Sequence, residues 1–232
     1  MARTLSTRDR AVVPFALATC IVFAAATCAG EAPPIEYRIA VEYPHDPAAF
    51  TQGLVFDGGA LYESTGLRGR SSLRKVEPTT GRVVRKRPLS DRLFGEGLAL
   101  VGDELYQLTW TAGRAFVMKL KDFSLVREYR YAGEGWGLAW DGARLVMSDG
   151  SATLRFRDPA TFRVEREVEV REGARPVEAL NELEFVDGAV YANVWRSDRV
   201  ARIDPASGAV TGWLDLSPVS YTHLTLPTKR IV

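Results

Sequence analysis

The chain has 232 residues, 46% hydrophobic and 25% charged, the make-up of one globular domain. Its 30 Lys and Arg against 29 Asp and Glu leave a net charge of +1, without the basic excess a nucleic-acid binder shows. Nothing in these bulk numbers names a substrate.

The first element is a leader. Arg3, Arg8 and Arg10 precede an apolar run from Ala11 to Ala26, followed by the small residues Thr27, Cys28, Ala29 and Gly30. This order of charge, grease and small residues predicts a secretory signal peptide over 1–30, and so a secreted or periplasmic chain. A retained anchor is the other reading, although the run is short for a span; none is expected to remain once the signal is removed. Lipid anchoring through Cys28 is a further option, which Thr27 fits poorly. Cys20 and Cys28 are the only cysteines, so a chain cut near Gly30 has no disulfide and relies on packing.

Tyr37 to Tyr43 reads as a strand ahead of a repeating region, of the kind that completes the last blade of a propeller. From 36 to 217 the chain repeats itself. Phe50-Thr-Gln-Gly-Leu, Phe94-Gly-Glu-Gly-Leu, Glu134-Gly-Trp-Gly-Leu and Ala179-Leu-Asn-Glu-Leu stack on the anchors Gly53, Gly97, Gly137 and Glu182, in steps of 44, 40 and 45 residues. Nine residues past each anchor stand Tyr62, Tyr106, Val146 and Tyr191. Tight-turn pairs such as Asp57-Gly58 and Asp187-Gly188 lie between. Leu73-Arg-Lys-Val, Phe116-Val-Met-Lys, Leu154-Arg-Phe-Arg and Val200-Ala-Arg-Ile then alternate as half-buried strands. A second turn and a last strand close each unit. Four short strands at this period predict an all-β fold, a β-propeller of four-stranded antiparallel blades, with four units present.

One column carries the chemistry. Just before each anchor stand Gln52, Glu96, Trp136 and Asn181. The first strand of each blade lines the axis, so four unlike residues meet at one mouth. A purely structural column would repeat one residue, as the neighbouring leucines do. A second column reads Gly66, Trp110, Gly150 and Trp195, with core tryptophan as the other reading for Trp110 and Trp195. Glu96 lies between Gly95 and Gly97, near Phe94. Aromatic surroundings raise a carboxyl's pKa and suit it to proton transfer near neutral pH; a satisfied structural Glu is the alternative. His45 and His223, the only histidines, are far apart in the repeat scheme and assemble no zinc site. Metal ligands and cofactors are therefore not expected, although a carboxylate calcium site on the axis stays open. Arg68, Arg70, Arg74 and Lys75 read as a solvated basic face, and Asp149 as a turn residue.

Several stretches resemble the plant-and-bacterial type of glutaminyl-peptide cyclotransferase. They include Tyr43-Pro-His-Asp-Pro-Ala-Ala-Phe-Thr-Gln-Gly-Leu54, Glu63-Ser-Thr-Gly-Leu-Arg-Gly-Arg-Ser-Ser-Leu73, Phe94-Gly-Glu-Gly-Leu98, Leu108-Thr-Trp110, Gly135-Trp-Gly-Leu138, Met147-Ser-Asp-Gly-Ser151, Leu180-Asn-Glu-Leu-Glu184 and Tyr191-Ala-Asn-Val-Trp195. The resemblance runs from about Tyr37 to Ser217. It implies a five-bladed, metal-independent enzyme that closes N-terminal Gln of peptides or proteins into pyroglutamate and releases ammonia; a monomer is expected. It puts the catalytic roles on Glu96, Asn181 and Gln52, and substrate contacts on Phe50, Phe94, Trp110, Trp136 and Trp195.

Past Ser217 the family pattern stops. Residues 218–232 match no repeat and read as a spurious tail. The family's fifth blade, with a further active-site lysine, is then missing, and Lys229 is not assigned that role. An open ring leaves two unpaired sheet edges. Two other functions fit the repeats: a non-catalytic propeller binding a peptide or protein at the same mouth, and a lactonase-like hydrolase with a central metal, which Trp136 fits poorly.

Overall fold

A computed structural model describes residues 30–220. Residues 1–29 of the expected leader over 1–30, His223, Lys229 and most of the expected tail lie outside the described residues. Four antiparallel sheets follow one another along the chain. Blade 1 is β1 (Thr51–Asp57), β2 (Ala60–Thr65), β3 (Ser72–Glu77) and β4 (Arg82–Pro88). Blade 2 is β5 (Gly95–Val101), β6 (Glu104–Thr109), β7 (Arg114–Lys119) and β8 (Leu125–Arg130). Blade 3 is β9 (Leu138–Trp140), β10 (Leu145–Met147), β11 (Thr153–Arg157) and β12 (Val164–Glu169). A two-stranded hairpin, β13 (Arg171–Glu172) and β14 (Arg175–Pro176), precedes blade 4. Blade 4 is β15 (Leu180–Val186), β16 (Ala189–Val194), β17 (Arg199–Ile203) and β18 (Val210–Asp215). Each sheet keeps sequence order from its first strand outward, as the repeats require.

The core lies between successive blades. Tyr62 and Leu73 of blade 1 pack with Leu98, Leu105 and Met118 of blade 2. Tyr106, Leu108 and Val117 meet Leu138, Leu145 and Met147 across the next gap. Leu154 and Phe156 meet Leu183, Val190 and Ile203 across the third. The expected turns sit at the hairpin tips, where Gly58, Gly102, Gly142 and Gly188 all have positive φ. The outer hairpins divide in a way the sequence hides. Gly81 and Gly208 take the positive φ in blades 1 and 4, while Phe123 and Phe162 take it in blades 2 and 3. Both phenylalanines are buried in the gaps between blades, so ring burial offsets the backbone strain.

Two sequence expectations need correction, and one element is an addition. Residues 37–43 form no strand: Tyr37, Ile39, Val41 and Tyr43 alternate as expected, but all are exposed and pair with no strand among the described residues. The chain instead touches blade 4 just upstream, where Ile35 N–H donates to Trp213 O at 2.7 Å and Trp213 N–H to Pro33 O at 3.0 Å. Arg74 is not on a solvated face. It is 6% exposed, lies opposite Glu63 in the β2–β3 ladder, and donates to Asp46 at 2.8 Å. Opposite charges in facing positions draw it inward. Arg68 and Arg70 stay exposed. The β13–β14 hairpin was not anticipated; its Glu172 accepts from the Trp213 indole at 2.8 Å and from Ala32 N–H at 3.0 Å.

Glycines set the spacing of the inner strands. A Cβ on Gly53 would stand 2.5 Å from Leu98 N, and one on Gly97 2.5 Å from Leu138 N. A Cβ on Gly137 would fall on the backbone of Asn181 and Glu182. Backbone cannot yield as a side-chain tip can. Gly137→Ala is therefore expected to cost about 2 kcal/mol and to lower the thermal midpoint by about 4–8 °C. An unchanged midpoint in a melting scan would show that blades 3 and 4 do not meet at this distance.

Candidate active site

The polar column sits where the inner strands leave their ladders. Register shifts between Thr51 and Gly53, Gly95 and Leu98, and Leu180 and Leu183 place Gln52, Glu96 and Asn181 in bulges. A bulge releases one residue from pairing and re-aims its side chain. Trp136 stands just before β9 and reaches the same end. The second column comes from the ends of the neighbouring strands, and main-chain bonds tie the two together. Gly66 N–H donates to Phe50 O at 2.8 Å, Trp110 N–H to Phe94 O at 3.0 Å, and Trp195 N–H to Ala179 O at 2.8 Å.

Glu96 is 5% exposed and accepts from Gln52 Nε2 at 2.7 Å. Burial pushes its carboxyl up to about 9; the Gln52 bond pulls the other way, and the negative charge of Glu134 adds to the rise. The sequence led us to expect a pKa nearer neutral. The structure makes the group a protonated acid at neutral pH. Aromatic rings cluster at the same end of the propeller. Phe94 meets Phe50 edge-on at 6.1 Å and Trp110 at 5.6 Å, while Trp136 meets Trp195 at 5.6 Å. The two glycines of the second column make room for these rings. A Cβ on Gly66 would strike the Phe94 ring, and one on Gly150 would lie 2.7 Å from Trp136. Trp195 is 51% exposed and forms the rim rather than core, with the Arg196 guanidinium over its ring at 4.3 Å.

All eight expected site residues therefore come to one end of the propeller, and direct contacts link seven of them in three groups: Gln52 with Glu96, Phe50 with Phe94 and Trp110, and Trp136 with Trp195. Asn181 is held through its backbone: Ser148 Oγ donates to Asn181 O at 2.7 Å and accepts from Gly137 N–H at 2.7 Å. Its side-chain amide makes no hydrogen bond among the described residues. Asp149 behaves as a turn residue, capping Ser151 N–H at 3.1 Å and pairing with Arg155.

Two carboxyl groups were missed. Glu134 Oε2 accepts the Trp110 indole N–H at 2.6 Å and the Trp136 indole N–H at 2.8 Å. Glu182 points both carboxyl oxygens into protein with no hydrogen-bond partner among the described residues. It approaches the backbone of Leu54 and Leu183 without bonding geometry, and burial, then the charges of Glu184 and Glu96, raise it well above the carboxyl range. Both were legible as exceptions. Glu134 stands where blades 1 and 2 have Phe50 and Phe94, and Glu182 where the other blades have glycine. Glu184, two residues on, borders a cavity of about 240 Å³ with Val55, Ala99 and Ala139 toward the other end of the axis. A larger hollow of about 380 Å³, between Asp141, Arg144, Arg166 and Pro205, also lies away from Glu96. Among the described residues no three His, Cys, Asp or Glu side chains converge as metal ligands, and no helix is long and apolar enough to cross a membrane.

The Glu96 shift has a thermodynamic consequence. Its folded pKa lies above the ordinary value of 4.5, so the unfolded chain releases this proton first. The stabilising contribution is complete below pH 4.5 and is lost as pH rises toward about 9. Glu96→Gln is expected to flatten that decline. Denaturant midpoints followed across this pH range should converge at the acid end, with the variant ahead at the alkaline end; parallel curves would refute the buried acid.

The family model for glutamine cyclotransferase matches residues 12–231, beyond both limits of the motif resemblance. A glutaminyl-peptide cyclotransferase of Arabidopsis thaliana is 46% identical over 187 residues, 80% of this chain. The chain spans 58% of the length of that relative. The glutaminyl cyclase of Myxococcus xanthus superposes with a TM-score of 0.77 at 42% identity, over 83% of this chain and 82% of that one. Hydrazine synthase of Kuenenia stuttgartiensis, at 19% identity and a TM-score of 0.51 over 77% of this chain and 52% of its own, shares the fold alone. A match that runs through all four blades and both columns makes this chain a member of the glutamine cyclotransferase family.

Proposed function

We propose that this protein cyclises N-terminal glutamine of peptides or proteins to pyroglutamate with release of ammonia, as a monomer acting outside the cytoplasm. The observation that carries the reading is Glu96, a buried acid fixed by Gln52 at the end of the propeller where the aromatic rings gather. The family membership and the two named relatives support it. The charge, grease and small-residue order over 3–30 supports export.

The reaction suits such a site. The α-amine attacks the γ-carboxamide carbon of its own residue, a C–N bond forms, and the carboxamide C–N bond breaks. Because attack is intramolecular, holding a folded-back conformer supplies much of the acceleration. Glu96 carries a proton at neutral pH, so it gives that proton to the departing nitrogen and takes one back from the attacking amine. Ammonia leaves and the acid is restored. Asn181, whose amide is uncommitted among the described residues, faces the developing oxyanion together with Gln52. The rings exclude water that would compete for the carboxamide.

Ammonia release from a Gln-initiated peptide tests this directly. Glu96→Gln is expected to lower the rate at least about 100-fold, and chelators to leave the parent unaffected. The rate should rise as the substrate amine loses its proton near pH about 8 and fall as Glu96 loses its own at about 9. A folded protein that binds the peptide and releases nothing would favour the peptide-binding propeller instead.

A further inference from the structure

Glu134 stands out among the groups at the mouth, because only one of its oxygens has work to do. Oε2 accepts indole N–H bonds from Trp110 of blade 2 and Trp136 of blade 3. Oε1 makes no hydrogen bond among the described residues. The carboxylate therefore fastens two walls of the site and still presents an acceptor at the mouth. We infer that Glu134 is the residue that binds the α-ammonium group of the substrate, and so selects chains with a free amino terminus.

The inference rests on the cyclase reading, which requires a substrate carrying both an α-amine and a γ-carboxamide. Near neutral pH the amine arrives largely as an ammonium ion. An ammonium has three donors and no acceptor, so it needs oxygen partners, one of them charged. Gln52 Nε2 is committed to Glu96 and presents a donor there. Asn181 is neutral, and Glu96 holds its proton. Glu134 is the remaining carboxylate bonded into the aromatic walls, and its charge is already felt at Glu96. Position adds a further argument. Gly135 follows it, and the Gly135 N–H donates to Trp110 O at 3.0 Å, which fixes the backbone that carries the carboxylate. The indoles hold the side chain in turn, so the free oxygen is aimed before substrate arrives. No proton transfer is assigned to Glu134. The ammonium sheds its proton to solvent at the mouth before attack.

Glu134→Gln separates binding from wall support. A glutamine keeps the length and a carbonyl oxygen that can accept from the indoles, but removes the charge. Its KM for a Gln-initiated peptide is expected to rise about tenfold, the loss of one charge-assisted bond, with kcat changed by less than about threefold. Inhibition by the neutral pyroglutamyl product should stay within about twofold, and near-ultraviolet circular dichroism should match the parent. Glu134→Ala, which releases both indoles, should alter that spectrum and weaken substrate and product alike.

Direct binding to the Glu96→Gln protein keeps the two readings apart. There, titration with a Gln-initiated peptide should show tighter binding than with its N-acetylated form, and Glu134→Gln should erase the difference. A protein that turns the peptide over with the same KM in both forms overturns the role of Glu134 and leaves the cyclase standing. One that discriminates the free amine through Glu134 but releases no ammonia sinks the cyclase and leaves this role standing. Equal loss of substrate and product affinity in Glu134→Gln reduces Glu134 to a strut and overturns the inference.

Discussion

The inner strands of this propeller meet at backbone distance because Gly53, Gly97 and Gly137 carry no side chain there. That contact decides where everything at the mouth can be. Gln52 and Glu96, the residues before Gly53 and Gly97, leave their ladders in bulges, and Asn181 does the same before Glu182. Main-chain bonds such as Gly97 N–H to Trp136 O at 2.7 Å then lock one blade's bulge against the next blade. Spacing, bulge and site belong to one constraint.

The same crowding explains the acid chemistry. A carboxyl placed near this axis is stripped of water on nearly every side, and burial is the leading cause of the rise at both Glu96 and Glu182. They differ in what they touch. Among the described residues Glu96 accepts from Gln52, whereas Glu182 has no hydrogen-bond partner and fills the place of a glycine. Burying a polar group without a bond is costly, and neutralising it by proton uptake reduces the cost. Burial therefore disfavours the charged form of Glu182, which lies near Leu54 of blade 1, while Glu96 holds a proton it can give away. Glu134 stays at the edge, bonded to indoles rather than engulfed.

Much of this was legible in the sequence because a propeller writes its geometry as a period. Residues at equal offsets from Gly53, Gly97, Gly137 and Glu182 occupy equivalent places, so the columns through Glu96 and Trp110 could be read as one mouth before any coordinates. What escaped was whatever a period does not encode. The alternation of Tyr37 to Tyr43 suits a strand, yet a strand exists only with a partner, and pairing is not local information. Arg74 reads as surface until its cross-strand neighbour Glu63 is known. Phe123 and Phe162 in left-handed turns follow from the gaps their rings fill. Glu134 and Glu182 were visible and passed over, because attention went to what the columns share rather than to where one blade departs.

The departure at Glu134 reaches Glu96 through its charge. That charge helps hold Glu96 in its acid form, behind burial, which is the leading cause, and against the Gln52 bond. The two indoles that share one oxygen of Glu134 fix where the charge stands. A change at either tryptophan is therefore felt at the Glu96 carboxyl through the field rather than through contact, and the aromatic and acidic members of the mouth are electrostatically one unit.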